Sequence, residues 1–319
     1  GTIAEMLSTP LGVVEWFVYL LAAVMFVIGL HLMNSPKTAR KGNMVSAIGM
    51  ILAVVMAFIV LFAGEISNGF QHGVAVVLLI AGIIIGAVAG VVSAKKVKMT
   101  DMPQLVSVFN TVGGGAAALV ALNDILTSAE TPSIVVLITA GLGIMIGSVT
   151  FSGSLIAAGK LQGIKWVKKL SLPGKGFWNI LFVVLTIVSF VMLCVQPNQR
   201  LLWSILTTVF ALCYGLVFVI PIGGADMPVV ISVLNACTGT AVAMSGLAIN
   251  NIALIVAGAL VGAAGVTLSI AMSKAMNRPL LSVLAGGFGG SNAAAGAGEG
   301  PEGTMTVSYT HLTLPTKRI

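Results

Sequence analysis

Long apolar segments separated by short polar loops make up most of the chain. A helix needs about 20 apolar residues to cross about 30 Å of hydrocarbon, so windows of that length mark candidate spans. Nine such windows occur, at residues 14–33, 43–63, 73–94, 103–122, 133–158, 177–195, 201–220, 228–249 and 252–272. The pattern predicts an all-α integral membrane protein, a bundle of about nine transmembrane helices.

The fourth and eighth segments are the least apolar, and a block of ten residues repeats at the start of both. Residues 101–110 read DMPQLVSVFN and residues 226–235 read DMPVVISVLN, with six identities. A carboxamide among hydrocarbon tails costs free energy unless it finds a polar partner. Two Asn residues at matching depth therefore predict a polar site shared by the two helices.

The composition supports the membrane interpretation and argues against a nucleic-acid partner. The 319 residues are 58% hydrophobic and 8% charged, whereas soluble domains are roughly 25% charged. The net charge of +7 arises from short Lys and Arg clusters between apolar segments, and no basic face carries interleaved aromatic residues. The lipid bilayer is the expected partner, and no nucleic acid is expected.

The basic clusters predict the orientation of the chain. They follow the first, third, fifth and ninth segments, and they consist of Lys37, Arg40, Lys41, Lys95, Lys96, Lys98, Lys160, Lys165, Lys168, Lys169, Lys175, Lys274 and Arg278. With nine spans, all these loops lie on one side of the membrane, and the opposite loops hold a single Arg200. Because Lys and Arg concentrate in cytoplasmic loops, we expect the basic loops in the cytoplasm and the N-terminus outside.

Glycine spacing predicts close packing at two of the helices. Gly82, Gly86 and Gly90 recur every four residues in the third segment, and Gly258 and Gly262 do so in the ninth. This spacing lets helix backbones approach closely in lipid.

The three cysteines give no indication of chemistry. Cys194, Cys213 and Cys237 lie within apolar segments, without a CxxC pair or a nearby His that could complete a set of metal ligands. We expect them to be small hydrophobic side chains, and we expect no metal site.

Asp101 and Asp226 stand at the entrances of the fourth and eighth segments. A carboxylate in that position can accept hydrogen bonds from free backbone N–H groups and oppose the positive end of the helix dipole. Pro103 and Pro228 follow two residues later, where a first helical turn tolerates proline. The repeated Asp-Met-Pro therefore predicts two helix starts capped by aspartate.

Each repeated helix also carries a polar stripe that leads inward from its aspartate. Ser107 and Asn110 share one helical face, as do Ser232 and Asn235. Asn110 follows Asp101 by nine residues, about 13 Å along a helix, so its carboxamide reaches well into the bilayer.

Two interpretations of these stripes stay open. In one, the carboxamides join helices across the bundle. In the other, hydroxyl and carboxamide groups order a chain of water for a proton or small ion, with an aspartate at the mouth. Neither group changes charge near neutral pH, and His31 and His72 lie at segment ends, so the stripes hold no titrating residue.

The character of the chain changes after Gly290. Residues 291–306 form a Gly/Ala-rich linker that is too polar to span a membrane. Residues 307–319, VSYTHLTLPTKRI, resemble a translated sequencing adaptor, and we interpret them as a non-native tail. The expected organisation is a transmembrane domain at residues 1–290, followed by the linker and this tail.

Five motifs, in order, resemble one known family. They read SPKTARKGN, KKVKMTDMPQLVSVFN, GSVTFSGSLIAAGKLQG, IGGADMPVVISVLN and SKAMNRPLLSVLAGGFG. Together they resemble the beta subunit of proton-translocating NAD(P) transhydrogenase, and the resemblance covers residues 15–290.

The resemblance implies a function, cofactors and partners. This Re/Si-specific enzyme family couples hydride transfer from NADH to NADP+ with inward proton movement across the cell inner membrane. An NADP(H)-binding domain is expected to follow the membrane domain, NAD(H) binds to an alpha subunit, and the assembly is a dimer of alpha-beta units. We expect this chain to stop before its NADP(H)-binding domain, to bind neither nucleotide, to contain no catalytic residue and to be inactive alone.

The resemblance also implies roles for residues of the repeated block. Asp226 and Asn235 match positions of the proton path and its coupling. Asn110 matches a position that is His in some members, so a His on an alpha-subunit helix is the expected substitute. The full set of expected path and coupling residues is Asp226, Asn235, Asn110, Ser232, Ser107 and Asp101.

Two other functions fit the residues themselves. One is a stand-alone permease or channel with internal repeats, which would need no soluble domain and no alpha subunit. The other is a purely structural assembly subunit.

Overall fold

The structure is a computed structural model that describes residues 7–67, 69, 73–174 and 176–288. His72, Lys175, the linker and the tail lie outside these described residues. The helices are α1 (Pro10–Leu32), α2 (Ala39–Ser67), α3 (Gly73–Lys96), α4 (Met102–Thr127), α5 (Ile134–Gln162), α6 (Lys165–Lys168), α7 (Phe177–Val195), α8 (Arg200–Val219), α9 (Met227–Ile249), α10 (Ile252–Ala275) and α11 (Leu280–Ala285). Among the described residues, all but α6 and α11 are long and apolar enough to span a membrane, which confirms the predicted bundle of nine.

Local sequence sets where these helices begin and end. Thr9 precedes α1 and accepts a hydrogen bond from the Gly12 N–H at 3.0 Å. Asn250 ends α9 in the left-handed region, at φ 56°. The next residue, Asn251, starts α10 by accepting the Leu254 N–H at 3.1 Å. The turn between α9 and α10 is therefore only two residues long.

The predicted aspartate caps are wrong in their chemistry, although the positions are right. Asp101 and Asp226 directly precede α4 and α9, but neither side chain accepts a hydrogen bond from the helix. Each aspartate ends a single 3-10 turn and has a ψ near zero, 5° for Asp101 and −5° for Asp226. A capping side chain needs the extended backbone that this turn removes.

Helix α9 lies at the centre of the bundle. It packs against α10, α5 and α4, while α8 packs on α5 and α7 packs on α8. On the other side, α1 packs on α10, α2 on α1, and α3 makes only a few contacts with α2. Helices α4 and α9 begin at the same end of the bundle, called the basic end here because the Lys clusters of residues 95–98 and 160–169 lie there.

The glycine prediction holds for one helix and fails for the other. A Cβ on Gly258 would lie 2.3 Å from the Ala243 nitrogen, so the backbones of α10 and α9 are in direct contact. In α3, a Cβ on Gly82, Gly86 or Gly90 would meet nothing within 4 Å in the described part of the chain. Because α3 has no buried residue and makes only a few contacts with α2, its glycines have no close contact among the described residues.

A buried apolar cluster closes the basic end beneath α9. Met227 and Val230 of α9 pack there with Ile222 and with Val283 of α11. The chain that follows α10 therefore folds back under the bundle, where α11 contributes to the core without crossing the membrane.

Candidate functional site at the repeated polar helices

Asn110 joins three helices through its carboxamide. Its Nδ2 donates a hydrogen bond to Ser154 Oγ of α5 at 2.9 Å, and its Oδ1 accepts one from Thr238 Oγ1 of α9 at 2.6 Å. All three side chains are buried. Because a polar group without a partner is costly in an apolar interior, these bonds allow an amide to sit inside the bundle.

The rest of the polar stripe on α4 faces α5. Ser107 Oγ donates to the Ser154 carbonyl at 2.8 Å, and Thr111 Oγ1 donates to the Ser107 carbonyl at 3.1 Å. One turn further along, a Cβ on Gly147 of α5 would lie 2.5 Å from the Gly114 carbonyl oxygen. Small residues thus bring α4 and α5 close enough for short serine hydroxyls to reach across.

Ser232 of the second repeat faces α10 and does not reach the Asn110 network. Its Oγ donates to the Gly265 carbonyl at 3.3 Å and accepts from Ser269 Oγ at 3.0 Å. A Cβ on Gly265 would lie 2.8 Å from the Ala236 backbone, so α9 and α10 also touch. Each repeated helix therefore directs its serine to the helix that follows it, and the two serines lie in separate hydrogen-bond groups.

Asn235 differs from Asn110, although both end the repeated block. Its side chain is half-buried and makes no hydrogen bond to any residue that the structure describes. Thr238 lies about one helical turn beyond it on α9 and reaches Asn110. Asn110 of α4 thus has both ends of its amide bonded, whereas Asn235 of α9 has no partner among the described residues and can bond elsewhere.

The two aspartates differ as well. Asp226 is buried and forms an ion pair with Arg278, whose Nη1 lies 2.9 Å from its Oδ1. Arg278 reaches this position because Asn277 adopts a left-handed φ of 56° just after α10. Asp101 is half-exposed, and within the described ranges no cation pairs with it. Among the described residues, the aspartate at the start of the second repeat is therefore neutralised by an ion pair, and the aspartate at the start of the first is not.

Lys160 and Asn179 bind the free carbonyl groups at the end of α8. Lys160 Nζ donates to the carbonyls of Val219, Ile220 and Ile222, with the last at 2.6 Å. Asn179 Nδ2 donates to Val217 at 3.1 Å and also to the carbonyl of Gly287. A helix leaves its last carbonyls unpaired, so a cation at this end is favourable.

The contacts at the end of α8 hold the loop that leads to Asp226. Residues 220–226 connect α8 to α9, and the Asp226 N–H donates to the Gly223 carbonyl at 3.1 Å. Lys160 from α5 therefore fixes the start of this loop, and the Arg278 ion pair fixes its end.

Comparison with known proteins identifies the family. A family model described as NAD(P) transhydrogenase beta subunit matches residues 15–313. The chain belongs to the NAD(P) transhydrogenase beta subunit family. Two sequences named NAD(P) transhydrogenase subunit beta from Rhodospirillum rubrum, one of them from a specified strain, are 39% identical to this chain over 287 residues. The alignments cover 88% of this chain and 59% of those relatives, so the chain spans about three-fifths of their length.

Family membership confirms the predicted resemblance and gives no support to a stand-alone permease. The part of this beta-subunit chain that the structure describes consists of helices, turns and loops, without a strand. A dinucleotide site needs a strand, a Gly-rich turn and a helix, so these residues do not fit NAD(H) or NADP(H).

The free cysteines, Cys194, Cys213 and Cys237, are half-buried within spanning helices.

The sequence pattern of this beta-subunit chain did not indicate several residues of the site. Ser154 and Thr238 complete the Asn110 network, while Lys160 and Arg278 appeared only as signals of orientation. One signal was available for Ser154, because GSVTFSGS places several small polar residues inside an apolar segment. His31, by contrast, lies exposed in the last turn of α1.

Proposed function

We propose that this chain is the proton-conducting membrane part of a proton-translocating NAD(P) transhydrogenase. In this function, inward proton movement drives hydride transfer from NADH to NADP+ in a Re/Si-specific enzyme. Family membership supports the proposal, and the observation that carries it is the buried Asn110 network at the junction of α4, α5 and α9. A buried amide and four hydroxyl groups in a spanning bundle are suited to a route for protons.

The proposed path runs along α4 and α9 from the basic end. Ser107, Asn110 and Thr238 offer a series of hydrogen-bonding groups, and Asn235 supplies an amide without a partner among the described residues. Hydroxyl and amide groups can orient water but cannot carry a charge near neutral pH. We therefore assign the titrating group to a His on an alpha-subunit helix, placed beside Asn235.

Asp226 and Arg278 form the proposed coupling mouth. Their ion pair lies at the start of α9, and Arg278 belongs to the segment that leads out of the membrane domain. A movement of that segment would separate Arg278 from Asp226 and expose a carboxylate at the end of the path. Asp101 of the first repeat matches Asp226, and Ser232 of the second repeat matches Ser107. Both lie outside the Asn110 network.

The remaining assignments rest on the family. The chain is proposed to continue into an NADP(H)-binding domain, to pair with an alpha subunit that binds NAD(H), and to act as a dimer of alpha-beta units. Its proposed location is the cell inner membrane, with the basic end in the cytoplasm, because the Lys clusters lie there.

Replacement of Asn110 by Leu tests the function. In the complete complex, reconstituted in vesicles, we expect N110L to slow NADPH formation driven by a pH gradient by about tenfold, equivalent to about 1.4 kcal/mol in the barrier. Asn123→Leu is the matched control, because Asn123 lies exposed on the same helix. Unchanged NADPH formation in N110L and in N110L/N235L would instead support a purely structural subunit.

A further inference from the structure

An apolar groove lies on the surface of the bundle at the basic end. It encloses about 700 Å³. Helix α5 forms its floor with Leu155 and Gly159, α4 forms one wall with Val108, and the end of α8 forms the other with Leu216 and Ile220. The groove lies outside the Asn110 network, because none of the residues that line it takes part in the hydrogen bonds of that network.

The turn after α5 closes the groove at the basic end. Val167 of α6 is buried against α5, where a Cβ on Gly159 would lie 3.0 Å from Val167 Cγ2. The neighbouring Trp166 lines the groove yet leaves 66% of its surface exposed. Tryptophan is enriched where hydrocarbon meets lipid headgroups. This position therefore corresponds to the level of the headgroups.

Three cations lie on the short helix that closes the groove and on the residue that follows this helix. Lys165, Lys168 and Lys169 are exposed, and residues 161–174 contain no Asp or Glu. None of the three forms an ion pair within the described ranges. Their positive charge is thus available to an anion at the end of the apolar groove that α6 closes.

We propose that this groove binds an anionic phospholipid of the bilayer. An acyl chain lies along Leu155, Val108 and Leu216, and the phosphate of the headgroup lies among Lys165, Lys168 and Lys169. Basic pockets between spanning helices recognise acidic headgroups in this way. The site is independent of the proton path, and its failure would leave the proposed function untouched.

The size of the groove favours a lipid over a helix of a partner subunit. A helix about 10 Å wide that crosses about 30 Å of hydrocarbon fills roughly 2,400 Å³. The groove provides about 700 Å³ and is closed by α6 at one end. A flexible acyl chain fits such a short, closed space.

Fluorescence quenching at Trp166 tests the proposal directly. The complete complex is placed in vesicles that contain brominated phosphatidylglycerol or brominated phosphatidylcholine, and the Trp166 signal is obtained by subtracting the signal of W166F. We expect phosphatidylglycerol to quench Trp166 at a lower mole fraction than phosphatidylcholine. Removing each lysine should raise the mole fraction of phosphatidylglycerol needed for the same quenching by about fivefold. K165Q/K168Q/K169Q should therefore lose the preference for phosphatidylglycerol over phosphatidylcholine.

Two further variants separate the groove from general attraction to the surface. K37Q/R40Q/K41Q removes three exposed cations from the start of α2 and the loop before it, and should leave the quenching unchanged. Leu155→Phe narrows the groove, keeps the lysines and should weaken quenching by phosphatidylglycerol. Equal quenching by the two lipids, absence of Trp166 quenching in the intact complex, or full quenching in L155F would each overturn the proposal.

Discussion

The two asparagines occupy the same position of the repeated block and have different partners in space. Asn110 is bonded at both ends of its amide by Ser154 and Thr238, whereas Asn235 has no partner among the described residues. An amide that is fully bonded fixes the helices around it. The amide that is left free is the one that can bind water or a group from another chain.

The ion pair of Asp226 and Arg278 gives a prediction at the residue scale. Each of D226N and R278Q leaves one charge partly buried without its partner, so each should lower the free energy of unfolding. In D226N/R278Q we expect the loss to be about 1 to 2 kcal/mol smaller than the sum of the single losses. Thermal unfolding of the complex measures all three variants.

Asp101 supplies the control for this cycle, because it has no ion pair in the described ranges. In the double variant D101N/R278Q, the loss in free energy of unfolding should equal the sum of the losses in D101N and in R278Q. If the losses in free energy of unfolding of D226N and R278Q also added in D226N/R278Q, the contact between Asp226 and Arg278 would contribute nothing to stability.

Sequence revealed the chemistry of these residues but not their partners. The depth of Asn110 follows from counting helical residues after Asp101. Its bond to Thr238, however, spans 128 residues, and the Lys160 bonds to the end of α8 span about 60. The rotation of each helix decides such contacts, and that rotation results from packing of the whole bundle.

At the scale of elements, the end of α8 depends on side chains from other helices. Lys160→Met keeps the aliphatic stem and removes the ammonium that three carbonyls accept. We expect a loss of about 1 to 3 kcal/mol in stability. Amide hydrogen exchange in residues 220–226 should also become faster, since the loop loses its anchor.

Lys165→Met is the matched control for Lys160, because Lys165 is exposed and binds no carbonyl in the described structure. Equal exchange rates in the two variants would show that Lys160 does not fix the loop.

The contrast between α10 and α3 gives a second prediction about elements. In Gly239→Ala the new Cβ would lie 2.3 Å from the Gly262 nitrogen, which forces α9 and α10 apart at a cost of about 1 to 3 kcal/mol. Gly86→Ala in α3 meets no described atom within 4 Å, so we expect a change within about 0.5 kcal/mol. If Gly239→Ala and Gly86→Ala lowered the stability in thermal unfolding by the same amount, the result would contradict the observed packing.

The ends of the spanning helices were predictable to within a few residues, because hydrocarbon thickness constrains each segment separately. The spacing of glycines was a weaker guide. It indicated close packing in both α3 and α10, and of these two helices α10 alone makes close backbone contacts with residues that the structure describes. Spacing of this kind marks a smooth helix face but does not say which helix covers it.

At the scale of the whole molecule, the bundle contains two related pairs of helices. In each pair the first helix carries the repeated block and its serine bonds the second helix, Ser107 to α5 and Ser232 to α10. The two pairs are joined by the bond from Thr238 to Asn110, by the bond from Ser245 Oγ to the Ala117 carbonyl at 2.8 Å, and by packing of α9 on α4 and α5. The repeat predicted a polar site shared by its two helices, whereas both of these bonds start from residues of α9 that lie outside the repeated block.

The proposed continuation of the chain is testable from its gene. About two-fifths of the length of the Rhodospirillum rubrum relatives lies outside the alignment. We expect an independently read gene to continue past Gly303 into a domain of roughly 100 to 200 residues with a dinucleotide-binding pattern. A stop codon shortly after that residue would contradict the proposed NADP(H)-binding domain.

The two-residue turn between α9 and α10 has a consequence for how the protein is made. Among the spanning helices of the described residues, α9 is the least apolar, and its buried Ser232, Gly239 and Gly246 face α10, which follows at once along the chain. A helix of this kind gains little by entering lipid alone. We expect the translocon to release α9 and α10 together as a preformed hairpin, so that Ser232 and the backbone at these glycines are covered before they meet the bilayer.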